Sequence, residues 1–184
     1  MEPDIALDQL DAKLWTELSR ARHAKGHGWR TPVLATLDQQ HLPQVRTVVL
    51  RDSDRQARRF TIYSDRRSPK VAELRDQPRC SLLFWCPRRR WQLRVNGEAQ
   101  IDTTSEAVSA VWSNLQHSPA AGDYLTVHPP GSLLTAATTT DAVRDSHALC
   151  LITVSAISMD WLALRRSGHQ RALITASGVS ALVP

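Results

Sequence analysis

The sequence predicts a mostly β fold with flanking helices, a small, mainly antiparallel barrel that carries its helices on the outside. Three observations lead there. β-branched runs recur between turn signals from Thr31 to Ile174. One of them, Trp91 to Ile101, alternates apolar and polar residues without a break. Helical spacing is confined to short stretches between the runs. At 184 residues, 42% apolar and 22% charged, the chain suits one domain over 1–184 with an ordinary core, residues 1–26 forming a cover helix.

The helix comes first. From Asp4 to Lys25 the apolar positions Leu7, Leu10, Leu14, Trp15, Leu18 and Ala21 mark one face, and Gly26 ends it. TPVLATL (31–37) and PQVRTVVLR (43–51) read as a hairpin around 38–42. An Arg/Asp-rich turn, 52–59, is either a solvated loop or an anion contact, and it leads to FTIYS (60–64). Ser68 and Pro69 form a helix start that Pro78 stops, and CSLLFW (80–85) is the next strand. In the run from Trp91, the residues Gln92, Arg94, Asn96, Glu98 and Gln100 share one face, which is either wet or lines a site. Thr103, with Glu106 three residues on, predicts a capped helix whose stripe is Val108, Val111, Trp112 and Leu115. Ser118-Pro119 opens a short helix through Leu125, HPPGS (128–132) is a loop, and TAATTTD (135–141) reads as mobile. ALCLITVSAI (148–157) predicts a strand buried on both faces. Residues 159–164 and 169–174 read as a separate hairpin, which gives five to seven strands and three helices in all.

Several chemistries are excluded. No Rossmann glycine pattern follows a strand, no phosphate loop or nucleophile elbow is present, and the seven histidines lack metal-ligand spacing. Cys80, Cys86 and Cys150 are an odd count without a CxxC pair, so neutral strand thiols are expected. The acidic start MEPDIALDQL and the absence of an apolar run of about 18 residues point to a cytoplasmic protein without membrane contact. Net charge is +5, and 20 of the 23 basic residues are arginine, a side chain suited to bidentate phosphate recognition. The start of the helix at Ser68, with Lys70 beside it, is a candidate phosphate site. Nucleic acid is disfavoured because aromatics are 5% of the chain and the arginines alternate with acids. An enzyme built this way would take its reactive group from a cofactor.

The order RTVVLR, FTIYS, SPK, WQLRVNG resembles the flavin-binding signature of the pyridoxamine 5′-phosphate oxidase family over about Pro32 to Arg171. The resemblance implies an FMN-binding split β-barrel of antiparallel, Greek-key-like strands, working as a homodimer with FMN between its subunits. It implies FMN contacts from Arg46, Thr47, Val48, Val49, Leu50 and Arg51, with Arg46 on the phosphate, and from Tyr63, Ser64, Ser68 and Lys70. Gln92 matches a glutamine facing the ring, Ser132 a phosphate-contacting serine, and Trp161 and Arg171 a pair that closes the site. Pro69 replaces a family arginine. On the reaction side it implies hydride transfer to the flavin N5 with His169 and Arg171 in catalytic roles and no metal. The family's substrate-gripping tyrosine, arginine and second arginine are replaced by Ala110, Asn114 and Ser167. These losses favour an unidentified small substrate. Genuine pyridoxamine or pyridoxine 5′-phosphate oxidation and an FMN-binding module without turnover are the alternatives.

Overall fold

The computed structural model describes residues 5–134 and 146–184. The expectation of mobility at 135–141 and the Asp4 start of the first helix therefore lie outside the described residues. Helix α1 (Leu7–His23) buries Leu10, Leu14, Trp15, Leu18 and Ala21 of the stripe expected from its spacing, whereas Leu7, in its first turn, is exposed. Among the described residues nine strands follow in one hydrogen-bonded sheet, more than the five to seven expected. They are β1 (Val33–Leu37), β2 (Pro43–Thr47), β3 (Leu50–Asp54), β4 (Arg59–Asp65), β5 (Arg79–Cys86), β6 (Trp91–Asp102), β7 (Leu149–Ala163), β8 (Gln170–Thr175) and β9 (Gly178–Leu182).

Chain order and strand order together dictate the shape. The sheet runs β2-β1-β5-β6-β7-β4-β3, with β8 and β9 continuing from β7. Strands β2 and β3 stand at opposite ends of that path, yet only Val48 and Val49 separate them. Three residue steps from Thr47 to Leu50 span at most about 11 Å, so the path has to roll up until its ends meet. The run RTVVLR is thus two strands, and Val48 marks the corner, where its N–H donates to the Pro32 carbonyl at 2.9 Å.

Inside the roll, α1 covers a core whose large side chains form an aromatic series. Trp15 stacks on Phe60 at 5.1 Å, Phe60 meets Phe84 at 5.7 Å, Trp29 joins Phe84 to Trp91, and Trp91 meets Trp161 edge to face at 5.4 Å. Helix α2 (Pro69–Asp76) packs on β1 and β6 and buries Val71 and Leu74. Helix α3 (Glu106–Leu115) and a 3-10 turn (Pro119–Tyr124) lie outside the sheet, where Val108 and Tyr124 form a second small core with Leu149 and Leu151. That cover is why Leu149 to Ile152 are buried on both faces.

Three features of β7 and α3 differ from expectation. Residues 148–157 and 159–163 are one long strand, because β6 pairs with nearly all of it. A bulge explains why the sequence looks interrupted there: Asn96 faces Ser158 and Gly97 faces Ala156, so Ile157 is the extra residue. Gly97 permits the close approach, since a Cβ there would lie 2.4 Å from the Ser155 carbonyl oxygen. The cap of α3 is Ser105, not Thr103, because Asp102 accepts hydrogen bonds from both the Ser105 N–H and its hydroxyl and so fixes it over the Val108 N–H. Of the expected α3 stripe only Val108 is fully buried, as Val111, Trp112 and Leu115 lie at the edge of the small core.

Candidate functional site

The site begins where β4 ends. Antiparallel partners share a face, so Ser64, opposite Cys150, points into the barrel end. Asp65 then turns the chain: its carboxylate accepts from the Arg67 backbone N–H at 2.8 Å and from the Arg67 guanidinium at 2.6 and 3.0 Å. Arg67 also donates to the Thr126 and Val127 carbonyls, which ties the loop that follows the 3-10 turn to the start of α2. Ser68 is the N-cap of α2, yet its hydroxyl makes no capping bond. It faces Ser64 Oγ at 3.1 Å instead, and Lys70 Nζ donates to both hydroxyls at 3.2 Å.

Arg46 arrives from the other side. On β2 it is opposite Leu34, whose side chain is wholly buried, and so shares the inward side. Its guanidinium donates to Glu73 Oε2 at 2.8 Å, to the Thr36 hydroxyl and to the Gln44 carbonyl at 3.3 Å. Burial, and then the positive charge of Arg46, pull the Lys70 ammonium below the ordinary lysine value. A lysine and an arginine, two buried hydroxyls and the positive end of a helix suit a dianionic phosphate. Gly131 extends this edge, because a Cβ on it would be 3.4 Å from Pro69 Cγ, and Ser132 follows it on the exposed loop.

The other sequence-derived candidates fall into separate groups. Arg51 lies over the Tyr63 ring at 5.1 Å, on the outside of β3 and β4, and its charge acts on both the Tyr63 and the Tyr124 phenols. Burial raises the pKa of both phenols. Thr47 is exposed at the end of β2, Val48 and Val49 form the corner, and Leu50 is buried in the core.

On the outward side of the sheet, Trp85, Gln92, Leu162 and Arg171 make one cross-strand row, and Leu83, Arg94, Asp160 and Leu173 make the next. Asp160 is held between Arg94 at 2.6 Å and Arg171 at 2.8 and 3.0 Å. The hydrogen bonds from Arg171 hold its carboxyl below the usual carboxylate range, and the Arg171 guanidinium is raised in turn. Trp161 points the opposite way into the core, 1% exposed. His169 is exposed in the turn between β7 and β8, where its Nδ1 accepts from the Arg165 N–H at 3.1 Å.

One chain therefore brings Arg46, Ser64, Ser68 and Lys70 together and sets Gln92 and Arg171 on another surface. Sequence reasoning missed Thr36, Glu73, Arg94 and Asp160. An aspartate amid the apolar run of β7 was the available signal for the last pair, since a buried carboxylate requires a partner. Nothing in the sequence marked Glu73. The three cysteines are buried and free, and burial pushes the thiols of Cys80 and Cys150 up to about 12 and about 11. No group of three or more metal-ligating side chains occurs among the described residues.

Comparison with known proteins bears directly on the phosphate-suited end. Residues 12–103, half of the chain, match the family model described as pyridoxamine 5′-phosphate oxidase, FMN-binding domain. A pyridoxine/pyridoxamine 5′-phosphate oxidase of Anaeromyxobacter dehalogenans is 31% identical over 130 residues, which cover 65% of this chain and 64% of that protein. The same-named protein of Rhodopseudomonas palustris is 42% identical over 74 residues, 40% of this chain and 34% of that one. The chain thus spans less than two thirds of these relatives. Among solved structures, an FMN-binding, pyridoxamine 5′-phosphate oxidase-related protein of Nostoc punctiforme superposes with a TM-score of 0.75 at 22% identity, covering 94% of this chain and 96% of its own. PhzG of Burkholderia lata gives 0.73 at 16% identity, with 98% of each chain covered. These two likenesses establish the split-barrel fold.

Proposed function

The chain belongs to the pyridoxamine 5′-phosphate oxidase FMN-binding family, and from that premise we propose that it is an FMN-dependent oxidoreductase, acting as a homodimer on a small substrate other than pyridoxamine 5′-phosphate. Its cofactor is FMN. The observation that carries the reading is the convergence of Arg46, Lys70, Ser64 and Ser68 at the start of α2, a donor set that fits the cofactor's phosphate. The chemistry FMN supplies when bound is acceptance of a hydride at its N5.

The chain's own residues divide the remaining work. Arg46 and Lys70 neutralise the phosphate, and the hydroxyls of Ser64 and Ser68 fix its position. The corner from Thr47 to Leu50 supplies backbone along the cofactor, Tyr63 and Arg51 bound its outer side, and Ser132 adds a hydroxyl from the loop beside Pro69. Gln92 offers a donor and an acceptor to the edge of the ring, and Arg171 a positive charge near it. Trp161 acts from beneath, through core packing that fixes the strand bearing Asp160 and Leu162. With Nδ1 engaged by the Arg165 N–H, neutral His169 carries its proton on Nε2, the nitrogen that would meet substrate or move a proton.

Where these groups stand supports the homodimer reading. Gln92 and Arg171 occupy an outward face that also exposes Trp85 (43%) and Leu83 (37%) on β5 and, two strands away on β2, Val45 (68%). A second copy laid on that face would cover the apolar residues and carry its Gln92 and Arg171 toward the phosphate end of the first. The substrate differs from the family's because Ala110 and Asn114 are exposed on α3, and the Asn114 amide is spent on the Ala110 carbonyl at 3.1 Å. The same observation favours the second reading, an FMN-binding module without turnover.

The test is direct. Purified protein is expected to absorb in two flavin bands between about 350 and 500 nm and to retain FMN over riboflavin. A colourless preparation that ignores added FMN overturns the cofactor role. Aerobic assays across amines, alcohols and reduced nicotinamides then separate oxidoreductase from module, the latter reducing no flavin with any of them.

A further inference from the structure

The phosphate-suited end contains a carboxylate, and a carboxylate beside a phosphate needs a reason. Glu73 stands one turn into α2, with its side chain 11% exposed. Its Oε2 accepts from the Thr36 hydroxyl at 2.5 Å and from Arg46 at 2.8 Å. Thr36, 3% exposed, also takes a hydrogen bond from Arg46, so β1, β2 and α2 meet at one triangle of hydroxyl, carboxylate and guanidinium.

The triangle restrains Arg46. A free arginine side chain has several rotatable bonds and loses their entropy when it grips a ligand. Here one terminal nitrogen is fastened to Glu73, and the other is shared between Thr36 Oγ1 and two backbone carbonyls, so that loss is already met during folding. Glu73 also offsets one of the two positive charges, and its field favours the protonated form of Lys70 against burial. The site therefore stays charged without being strongly basic.

We propose that Glu73 is the positioning residue of the phosphate site: it holds Arg46 in its binding orientation through Oε2, and its negative charge balances one of the two cations there. The proposal rests on reading Arg46 and Lys70 as the FMN phosphate contacts. The side chain thus raises affinity for the phosphate without touching it.

Two substitutions separate position from charge. Glu73→Gln keeps an acceptor oxygen for Thr36 and Arg46 and removes the charge, whereas Glu73→Ala removes both. Dissociation constants for FMN and riboflavin are measured by quenching of flavin fluorescence on the full chain. Glu73→Ala should weaken FMN about tenfold and leave riboflavin, which has the same ring and no phosphate, unchanged. Glu73→Gln should bind FMN at least as tightly as the wild type. Unchanged FMN affinity in Glu73→Ala, equal loss of FMN and riboflavin, or a Gln variant as impaired as the Ala variant overturns the proposal. Equal binding of FMN and riboflavin by the wild type overturns the phosphate reading itself, a separate result.

Discussion

The two charged regions of this protein use the same side chains to different ends. Around α2, Arg46 and Lys70 face two serine hydroxyls and one carboxylate, an arrangement that leaves a positive balance for a ligand. On the outward sheet face, Arg94 and Arg171 are both directed onto Asp160, which stands in the middle of the strand with its side chain 9% exposed. The difference lies in how the acid is placed. Glu73 takes one of the two cations at its site and leaves Lys70 to hydroxyls, whereas Asp160 takes both arginines, so the first region keeps a cation without a carboxylate partner at hydrogen-bond distance and the second does not.

The comparison can be broken most strongly at the outward face. If that face seats a second copy, Trp85→Glu places a charge among Leu83, Val45 and their counterparts and should weaken the dimer by about 2–4 kcal/mol, seen as monomer in sedimentation at micromolar protein. Flavin should be lost with it, because Gln92 and Arg171 of the partner depart together. A variant that stays dimeric with unchanged flavin binding would leave the first region as the complete site.

The phosphate end is sharpened by Lys70→Met, which removes one charge-assisted donor and should weaken FMN by about 1.5–3 kcal/mol, or roughly 10- to 100-fold, in a fluorescence titration. The lowered pKa of Lys70 adds a pH signature. The folded chain releases this proton before the unfolded one does, so stability increases as pH climbs toward the ordinary value, while FMN affinity, which needs the ammonium, declines over the same range. Lys70→Arg should remove that decline.

The smallest effect belongs to Asp160. Its folded pKa is depressed, so its contribution to stability is fully present above the unfolded carboxylate value, about 3.9, and is lost as pH falls through the folded one. Both guanidinium partners are partly exposed, 47% and 32%, and solvent screening reduces the effect to about 1 kcal/mol. Urea midpoints at pH 6 and pH 3 should fall further for the wild type than for Asp160→Asn.

Much of this was legible residue by residue. Alternation located β6, the three-and-four spacing located α1, and the Ser68-Pro69 start located α2 together with Lys70. The corner at Val48 was not legible, because a β-branched run reads as one strand whether or not the sheet turns there. The bulge at Ile157 was hidden for a related reason: it shifts the inward and outward sides of β7 without changing its composition.

The sequence by itself determined the local devices, since cap residues, strand periodicity and a basic helix start act over a few positions and leave a local imprint, and its resemblance to a known family supplied the cofactor. Only the tertiary structure decided that Glu73 answers Arg46 across 27 positions and that Asp160 answers Arg94 across 66. An ion pair is fixed by distance in space, and the roll of the sheet sets that distance with no trace in residue spacing.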